Sequence, residues 1–565
     1  MPYFSFVVVT MSKWSYLHSP PTVPNTYSSL NDALKRNSET SPNTEAFIYR
    51  CPDGSRQSIT SSDLYEKSRC VAKYLITSGL SRQDKVVIFG PNTLARIVAE
   101  FGILLAGGVV LQLNINVKNA TDAADMLDKG RCRIVFADPG ENDVLLPVIS
   151  SLEREDNNKK QEHQFIFLRK SSSTKIAHTL ISDIQSAENA NTVLPEVYPE
   201  DDAIIFTTSG STGKPKMVVH THLNFINAFQ QFARIKEEQN KSFNNRPFCW
   251  LGGTLAIPIV MGSPLVFTDS NLSTTVDGVK TIWKIMKEED VDNALLMPYV
   301  LHDLITEQDN IEDDGFRLQS ITTGGQIIDH FCTKVLGRFC RSLSVGYGST
   351  EIIAGTFLPT LRPGDHLETG NVGNPMNGVE VRIVDSEGHP TKIGQVGEIQ
   401  IRSSFLMKEY FADEAMTMKA FTDDRHKWFK PEDLGLITSS GDLIIRGRVK
   451  DNISRGGRKV LPALVDDVVQ HLDGLRFVAT VAVPDARLYE EVCVCFIAEE
   501  GVDLSPSDVQ RYCEDKFSKD ESLDGMGSMP KYFVRFDEFP TLFTGKPDKQ
   551  ELKRRAAGRL KLHVG

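Results

Sequence analysis

The stretch IIFTTSGSTGKPK, Ile204 to Lys216, decides how the rest of the chain is read. Ile204, Ile205 and Phe206 have the pattern of a short buried strand. They run directly into Thr207, Thr208, Ser209, Gly210, Ser211, Thr212 and Gly213, a segment of hydroxyls and little bulk. Small residues let backbone N–H groups approach an oxyanion, hydroxyls add rotatable donors, and Lys214 and Lys216 add positive charge. Pro215 stiffens the exit. The P-loop of kinases and GTPases requires four residues between its glycine and a Gly-Lys pair followed by Ser or Thr. Here two residues separate Gly210 from Gly213 and proline follows Lys214, so that pattern fails. The plain alternative is a flexible Ser/Thr/Gly linker with two lysines.

A chain of 565 residues exceeds one hydrophobic core, so two or more domains are expected. Hydrophobic residues at 40% and charged residues at 24% are ordinary for a globular protein. A formal net charge of -11 argues against nucleic acid as the main partner, because phosphate backbones demand a basic surface. The nine cysteines are scattered without a CxxC pair or zinc spacing, which suits a reducing compartment and no structural metal. The apolar patch Phe4 to Val9 is too short to span a bilayer and lacks a basic lead. It reads as part of a disordered tail over residues 1–28, or as a leader before a second start at Met11. No other apolar run is long enough for a membrane span, and His563-Val564-Gly565 is not a peroxisomal address. A cytoplasmic location is the expectation, with mitochondrion and peroxisome as alternatives; no residue pattern fixes an oligomeric state.

From Leu30 to Pro195 helical and strand patterns alternate. An amphipathic stretch covers Ser62 to Ser78, a β-rich run Lys85 to Phe89 and an apolar helix Ile97 to Ala106, ending at Gly107-Gly108. Strands are expected at Val109 to Leu113, Ile134 to Ala137 and Phe165 to Leu168. This alternation predicts a parallel α/β sheet. The charged run Glu153 to Gln164 reads as a solvated loop. Beyond Lys216, a helix is expected over Thr221 to Phe232 and a connection over Phe243 to Pro247. Buried helix and strand follow over Phe248 to Phe267, then a strand with a glycine turn at Ile321 to Gln326. Short strands, Val478 to Val483 and Val492 to Ile497, with amphipathic helices complete a small α+β unit.

Read whole, TSGSTGKPK resembles the nucleotide-phosphate loop of the adenylate-forming superfamily: acyl-CoA synthetases, aryl-CoA ligases, beetle luciferases and peptide-synthetase adenylation domains. Further stretches follow in the family's order. Pro91 to Asn114 resembles its early helix and glycine exit. GYGSTE, Gly346 to Glu351, resembles its second motif, and the lysine of FPTLFTGKPDKQELKRR, Lys546, stands at the spacing of its catalytic lysine. The resemblance implies an α/β fold with a large AMP-binding domain over residues 29–446, made of α/β subdomains with a β-rich portion. A small mobile α+β lid over 447–565 would carry Lys546. It also implies that Thr207 to Lys214 hold the ATP phosphates. Gly324, Gly325 and Gln326 would lie along adenine, where glycine permits close approach. Tyr347 and Gly348 would face adenine, Thr350 the α-phosphate, and Glu351 would ligate Mg²⁺ as a hard oxygen donor. Asp433 and Arg448 would bind the ribose, Gly447 or Lys450 would be the hinge, and Arg455, Gly456 and Gly457 would approach CoA.

Departures from the pattern stand beside these matches. Cys249 and Trp250 occupy a place where many relatives carry His, in the segment that lines their acyl pocket. No Asp stands there as in amino-acid-activating domains. Pro431-Glu432-Asp433 replaces the usual Thr-Gly-Asp, and Leu464 replaces a usual glutamate. The implied activity is that of an ATP-dependent acid–thiol ligase: a carboxylic acid, a fatty acid in the first instance, becomes acyl-AMP with release of pyrophosphate and then passes to CoA. An aryl-acid ligase, a luciferase-like oxygenase and a non-catalytic nucleotide-binding relative are the alternatives.

Overall fold

The structure, a computed structural model, describes the chain except residues 1–12, 23, 114–119, 139–162, 171–177, 186–191, 209–214, 233–239, 275, 329, 354, 358–359, 424–427, 520–527, 542–546 and 563–565. Two large sheets and one small one organise it. In the first, Lys85–Phe89, Val109–Gln112, Ile134–Ala137, Gln164–Phe167, His178–Leu180 and Asp202–Thr208 run parallel. These strands are short and nearly all apolar, as expected where helices cover both faces. Each fully buried Val, Ile or Phe contributes about 1.5–3 kcal/mol. Lys216–Thr221 turns back antiparallel on Asp202–Thr208, and Glu409–Tyr410 adds to its far edge.

The second sheet has two arms. One is parallel: Leu343–Tyr347, Ser320–Gly324, Asn293–Leu295, Ser242–Asn244, Leu265–Phe267 and Glu45–Arg50 lie side by side. The other is antiparallel and includes Asn371–Pro375, Leu443–Arg448, Asp433–Ile437, Gly397–Ser403 and Val379–Val384. The arms meet at Leu343–Tyr347, which pairs antiparallel with Thr356–Phe357. The third sheet joins the hairpin Ile453–Arg455 and Arg458–Val460 to Leu475–Asp485, Tyr489–Ala498 and Tyr532–Arg535, with helices Pro462–Val469, Pro506–Lys519 and Lys549–Arg559 around it. Gly456 and Gly457 close the hairpin at φ 56° and 85°, the left-handed pair that a two-residue turn requires.

Helix starts follow their capping residues. Ser29, Thr60 and Thr93 accept from the N–H three residues on and open Leu30–Thr40, Ser61–Thr77 and Leu94–Leu105. The strand and helix expectations up to Leu168 agree with these elements to within a few residues at each end. Three readings change. Tyr16–Ser19 is no tail: it is an edge strand paired with Val379–Arg382, because Leu17 is an apolar residue that finds a core only across that distant strand. Thr22 and Thr26 continue the attachment by donating backbone N–H groups to Gln231 and Gln230. Within the expected connection Phe243 to Pro247, the first two residues end the strand Ser242–Asn244, since Phe243 is fully buried between two parallel neighbours. Most of the charged run Glu153 to Gln164 lies outside the described residues; Gln164 itself begins a strand.

Candidate active site

The parallel strands deliver their C-terminal ends to one region, where open α/β sheets present ligand sites. Thr207 ends its strand buried, and its hydroxyl donates to the Gln112 carbonyl at 2.9 Å; Thr208 follows, half-buried. Ser209, Gly210, Ser211, Thr212, Gly213 and Lys214 lie outside the described residues, as does Lys546. Lys216, past Pro215, places its ammonium 5.0 Å from the ring centre of Tyr410.

Beneath Thr207 sits a buried polar chain that motif reading missed. Helix Leu94–Leu105 is buried on nearly every side yet carries Arg96 and Glu100. Arg96 donates to the Gly90 carbonyl at 2.5 Å and to Gln112 Oε1, and Gln112 Nε2 donates to Glu100 Oε2 at 2.6 Å. Burial pushes the Glu100 carboxyl up to about 7 against the opposing pull of Arg96.

Gly324 and Gly346 face each other on adjacent parallel strands. A Cβ on Gly324 would lie 2.2 Å from the Gly346 carbonyl oxygen, so no other residue fits the pairing. Gly325, at φ 92°, is exposed beyond it, and Gln326 is half-buried. Tyr347 ends the next strand and donates its hydroxyl to Asp433 Oδ2 at 2.7 Å. Arg448 Nε donates to Asp433 Oδ1 at 2.9 Å, and the two residues are direct cross-strand partners. Burial and the Asp433 charge together hold the Tyr347 phenol well above its ordinary pKa. Glu432 takes φ 62°, a left-handed backbone where glycine costs nothing, and its carbonyl accepts from Val449 N–H at 2.9 Å. The turn that presents Asp433 is therefore kept despite the missing glycine.

Gly348 is exposed, and Thr350 and Glu351 follow it at the junction of the two large sheets. The Thr350 carbonyl accepts from His220 Nε2 at 2.7 Å; a carbonyl can only accept, which fixes the proton on that nitrogen. His220 is fully buried, and desolvation pulls its pKa down to about 4, so the ring stays neutral. Glu351 is oriented through both oxygens: Ser349 donates to Oε2 and Tyr410 to Oε1, each at 2.8 Å. Neither His220 nor Tyr410 was foreseen. His220 is a lone polar residue at the end of an apolar run and Tyr410 lies in a two-residue strand, so neither gives a motif. Among the described residues no cluster of three or more His, Cys, Asp or Glu could hold a metal ion. A single carboxylate oriented by two hydroxyls suits Mg²⁺, which binds through one or two carboxylates plus substrate phosphates.

Farther along, Gly447 has φ 117° at the end of its strand, and Lys450 is exposed in a single 3₁₀ turn over Val449–Asp451. Arg455 turns into the third sheet. Its Nε pairs with the buried Glu491 at 2.6 Å and an Nη donates to the Met529 carbonyl at 3.1 Å. Its neighbours Gly456 and Gly457 are exposed, whereas Arg455 is half-buried. Leu464 lies within helix Pro462–Val469.

The family model for AMP-binding enzymes matches residues 34–411. The chain belongs to the AMP-binding enzyme family. Among the family's curated members it is 25% identical to the medium-chain acyl-CoA ligase ACSF2, mitochondrial, of Danio rerio, over 97% of this chain and 91% of the relative. It is 24% identical to the long-chain-fatty-acid–CoA ligase FadD13 of Mycobacterium tuberculosis, over 92% and 97%. Among solved structures, the anthranilate CoA ligase AuaEII in complex with anthranoyl-AMP superposes with a TM-score of 0.79 at 18% identity, covering 96% of this chain and 99% of that one. The AMP-binding family's fold, with its large α/β portion and smaller α+β portion, thus extends through the whole chain. No helix among the described residues is long and apolar enough to cross a membrane.

Proposed function

We propose that this enzyme is an ATP-dependent carboxylate–CoA ligase that forms acyl-AMP and pyrophosphate, then an acyl thioester and AMP. The observation that carries the reading is the Tyr347–Asp433–Arg448 set beside the oriented Glu351. Asp433 is held by two donors yet keeps lone pairs for two ribose hydroxyls. Gly324 and Gly325 offer bare backbone to a flat base, and the Thr350 hydroxyl has no partner among the described residues.

In the first step the ionised substrate carboxylate attacks the α-phosphorus and pyrophosphate leaves. No general base is needed. Both reactants are anionic, so charge compensation dominates the barrier. Lys546 and the donors of Thr207 to Lys214 supply it, and Glu351 would hold Mg²⁺, whose charge neutralises the phosphate oxygens when bound. In the second step a thiol attacks the acyl carbon and AMP departs. Residues 447–565 act as a lid that brings Lys546 in for the first step and withdraws it for the second, with Gly447 as pivot and Lys450 as the alternative. The Gly456-Gly457 turn faces CoA, backed by Arg455. The names of the relatives favour an aliphatic, fatty-acid-like substrate. Acid-dependent ATP–pyrophosphate exchange followed by CoA-dependent release of AMP tests the reading. Exchange without CoA-dependent release would point to a different second step, and no exchange with any acid would remove it.

A further inference from the structure

The segment between Asn244 and Gly253 holds an arginine whose backbone is fixed and whose Nε is not satisfied. Arg246 N–H donates to Asn244 Oδ1 at 3.1 Å, and the Arg246 carbonyl accepts from Asn92 Nδ2 at 2.9 Å. Asn92 Oδ1 also accepts from Phe248 N–H at 2.8 Å, and Asn244 Nδ2 donates to the Gly252 carbonyl at 2.7 Å, so the turn is pinned from both sides. The side chain runs back across Gly252, where a Cβ would fall 2.4 Å from Nη1. Its Nε is buried with no hydrogen-bond partner among the described residues, and the charge neighbour that bears on the guanidinium is the phenol of Tyr299 rather than a carboxylate. Desolvation lowers its pKa to about 10, which leaves it charged at neutral pH.

Arg246 lines a small cavity of about 20 Å³, room for roughly one water. The rest of the wall is largely apolar, including Pro247, Trp250, Leu295, Met297 and Val300. The Met297 methyl is the nearest side-chain atom to the exposed face of Gly325, so the cavity borders the turn assigned to the nucleotide. A buried donor without a partner is costly, and a guanidinium presents a planar fork that matches a carboxylate. A purely apolar acyl end would leave that cost in place.

We propose that this pocket selects an aliphatic acid carrying a second carboxylate, which pairs with Arg246 while the first carboxylate reacts at the nucleotide. The inference rests on the ligase reading and specifies its substrate.

The test is ATP–pyrophosphate exchange by the full-length enzyme with matched pairs: hexanoate against adipate, and octanoate against suberate. The wild type is expected to favour the diacid at least tenfold in kcat/KM. Arg246→Met is expected to reverse the order, with the change in the KM for the acid and the KM for ATP unmoved; Arg246→Lys keeps a reduced diacid preference. Gly252→Ala, which displaces the guanidinium without removing it, is expected to cut diacid turnover and serves if Arg246→Met does not fold. A wild type that favours the monoacids, or an Arg246→Met variant with an unchanged ratio, overturns the proposal while leaving the ligase reading intact. Absence of exchange with all four acids overturns both.

Discussion

The proposed nucleotide side and the proposed acyl side of this enzyme handle polar groups in opposite ways. Around Asp433, Tyr347, Glu351 and Thr350 the anchoring atoms are committed to other protein atoms: two donors on Asp433, two on Glu351, and a neutral histidine on the Thr350 carbonyl. On the other side of Met297 from Gly325, Arg246 has a pinned backbone and a guanidinium whose Nε has no partner. The difference follows from what each side must do. A nucleotide is the same at every turnover, so its site is preorganised before binding. On the proposed acyl side, a guanidinium donor left unpartnered by the protein would reject acids that cannot complete it.

The largest expected effect crosses both sides. Lys546→Ala should lower acid-dependent pyrophosphate release by about 100-fold or more, the scale of losing one preorganised charge at the reacting centre. Thioester formation from a supplied acyl adenylate should be nearly unchanged. Equal loss in both half-reactions would remove the lysine from its proposed role and with it the two-position lid. Next comes Asp433→Ala, which deletes the ribose acceptor and strands Arg448. It should raise the KM for ATP by about tenfold, the worth of a charge-assisted hydrogen bond, and leave the KM for the acid alone. A rise in both would mean that the two sides are not separable.

The placement of the proposed nucleotide side was largely legible in the sequence, because it is carried by short strings whose residues stand close together. Gly346 to Glu351 and Ile204 to Thr208 fall at strand ends as their apolar leads suggest. What escaped was whatever depends on distant pairing. The strand Tyr16–Ser19 joins residues more than three hundred positions away, and its polar His18 hides the pattern. His220 and Tyr410 support Thr350 and Glu351 from another sheet, so nothing near the motif announces them. Arg246 had one visible signal, a charged residue between two asparagines and an apolar run, and it went unread.

Two smaller effects sharpen the comparison further. His220 and His222 both have pKa values lowered to about 4 by burial, against 6.5 for the free side chain. The unfolded chain therefore binds protons first, and stability falls as pH drops from about 6.5 towards 4. At pH 5 each histidine should cost about 2 kcal/mol. His220→Asn should remove about half of the joint pH 7 to pH 5 loss in the thermal midpoint, while loosening Thr350. An unchanged pH dependence would mean that His220 is not neutral in the fold. Smallest is Glu432→Gly: relief of the left-handed backbone at φ 62°, partly offset by a freer unfolded chain, should stabilise by at most about 1 kcal/mol with the KM for ATP unchanged. A destabilised variant would show that the Glu432 side chain, not its backbone, holds the turn.

The most direct measurement is exchange of labelled pyrophosphate into ATP by the purified full-length enzyme, with and without a carboxylic acid, followed by addition of CoA. The account predicts exchange that requires the acid, and AMP and acyl thioester in equal amounts once CoA is present. ATP exchange that ignores the acid, or no exchange with any acid offered, would contradict it.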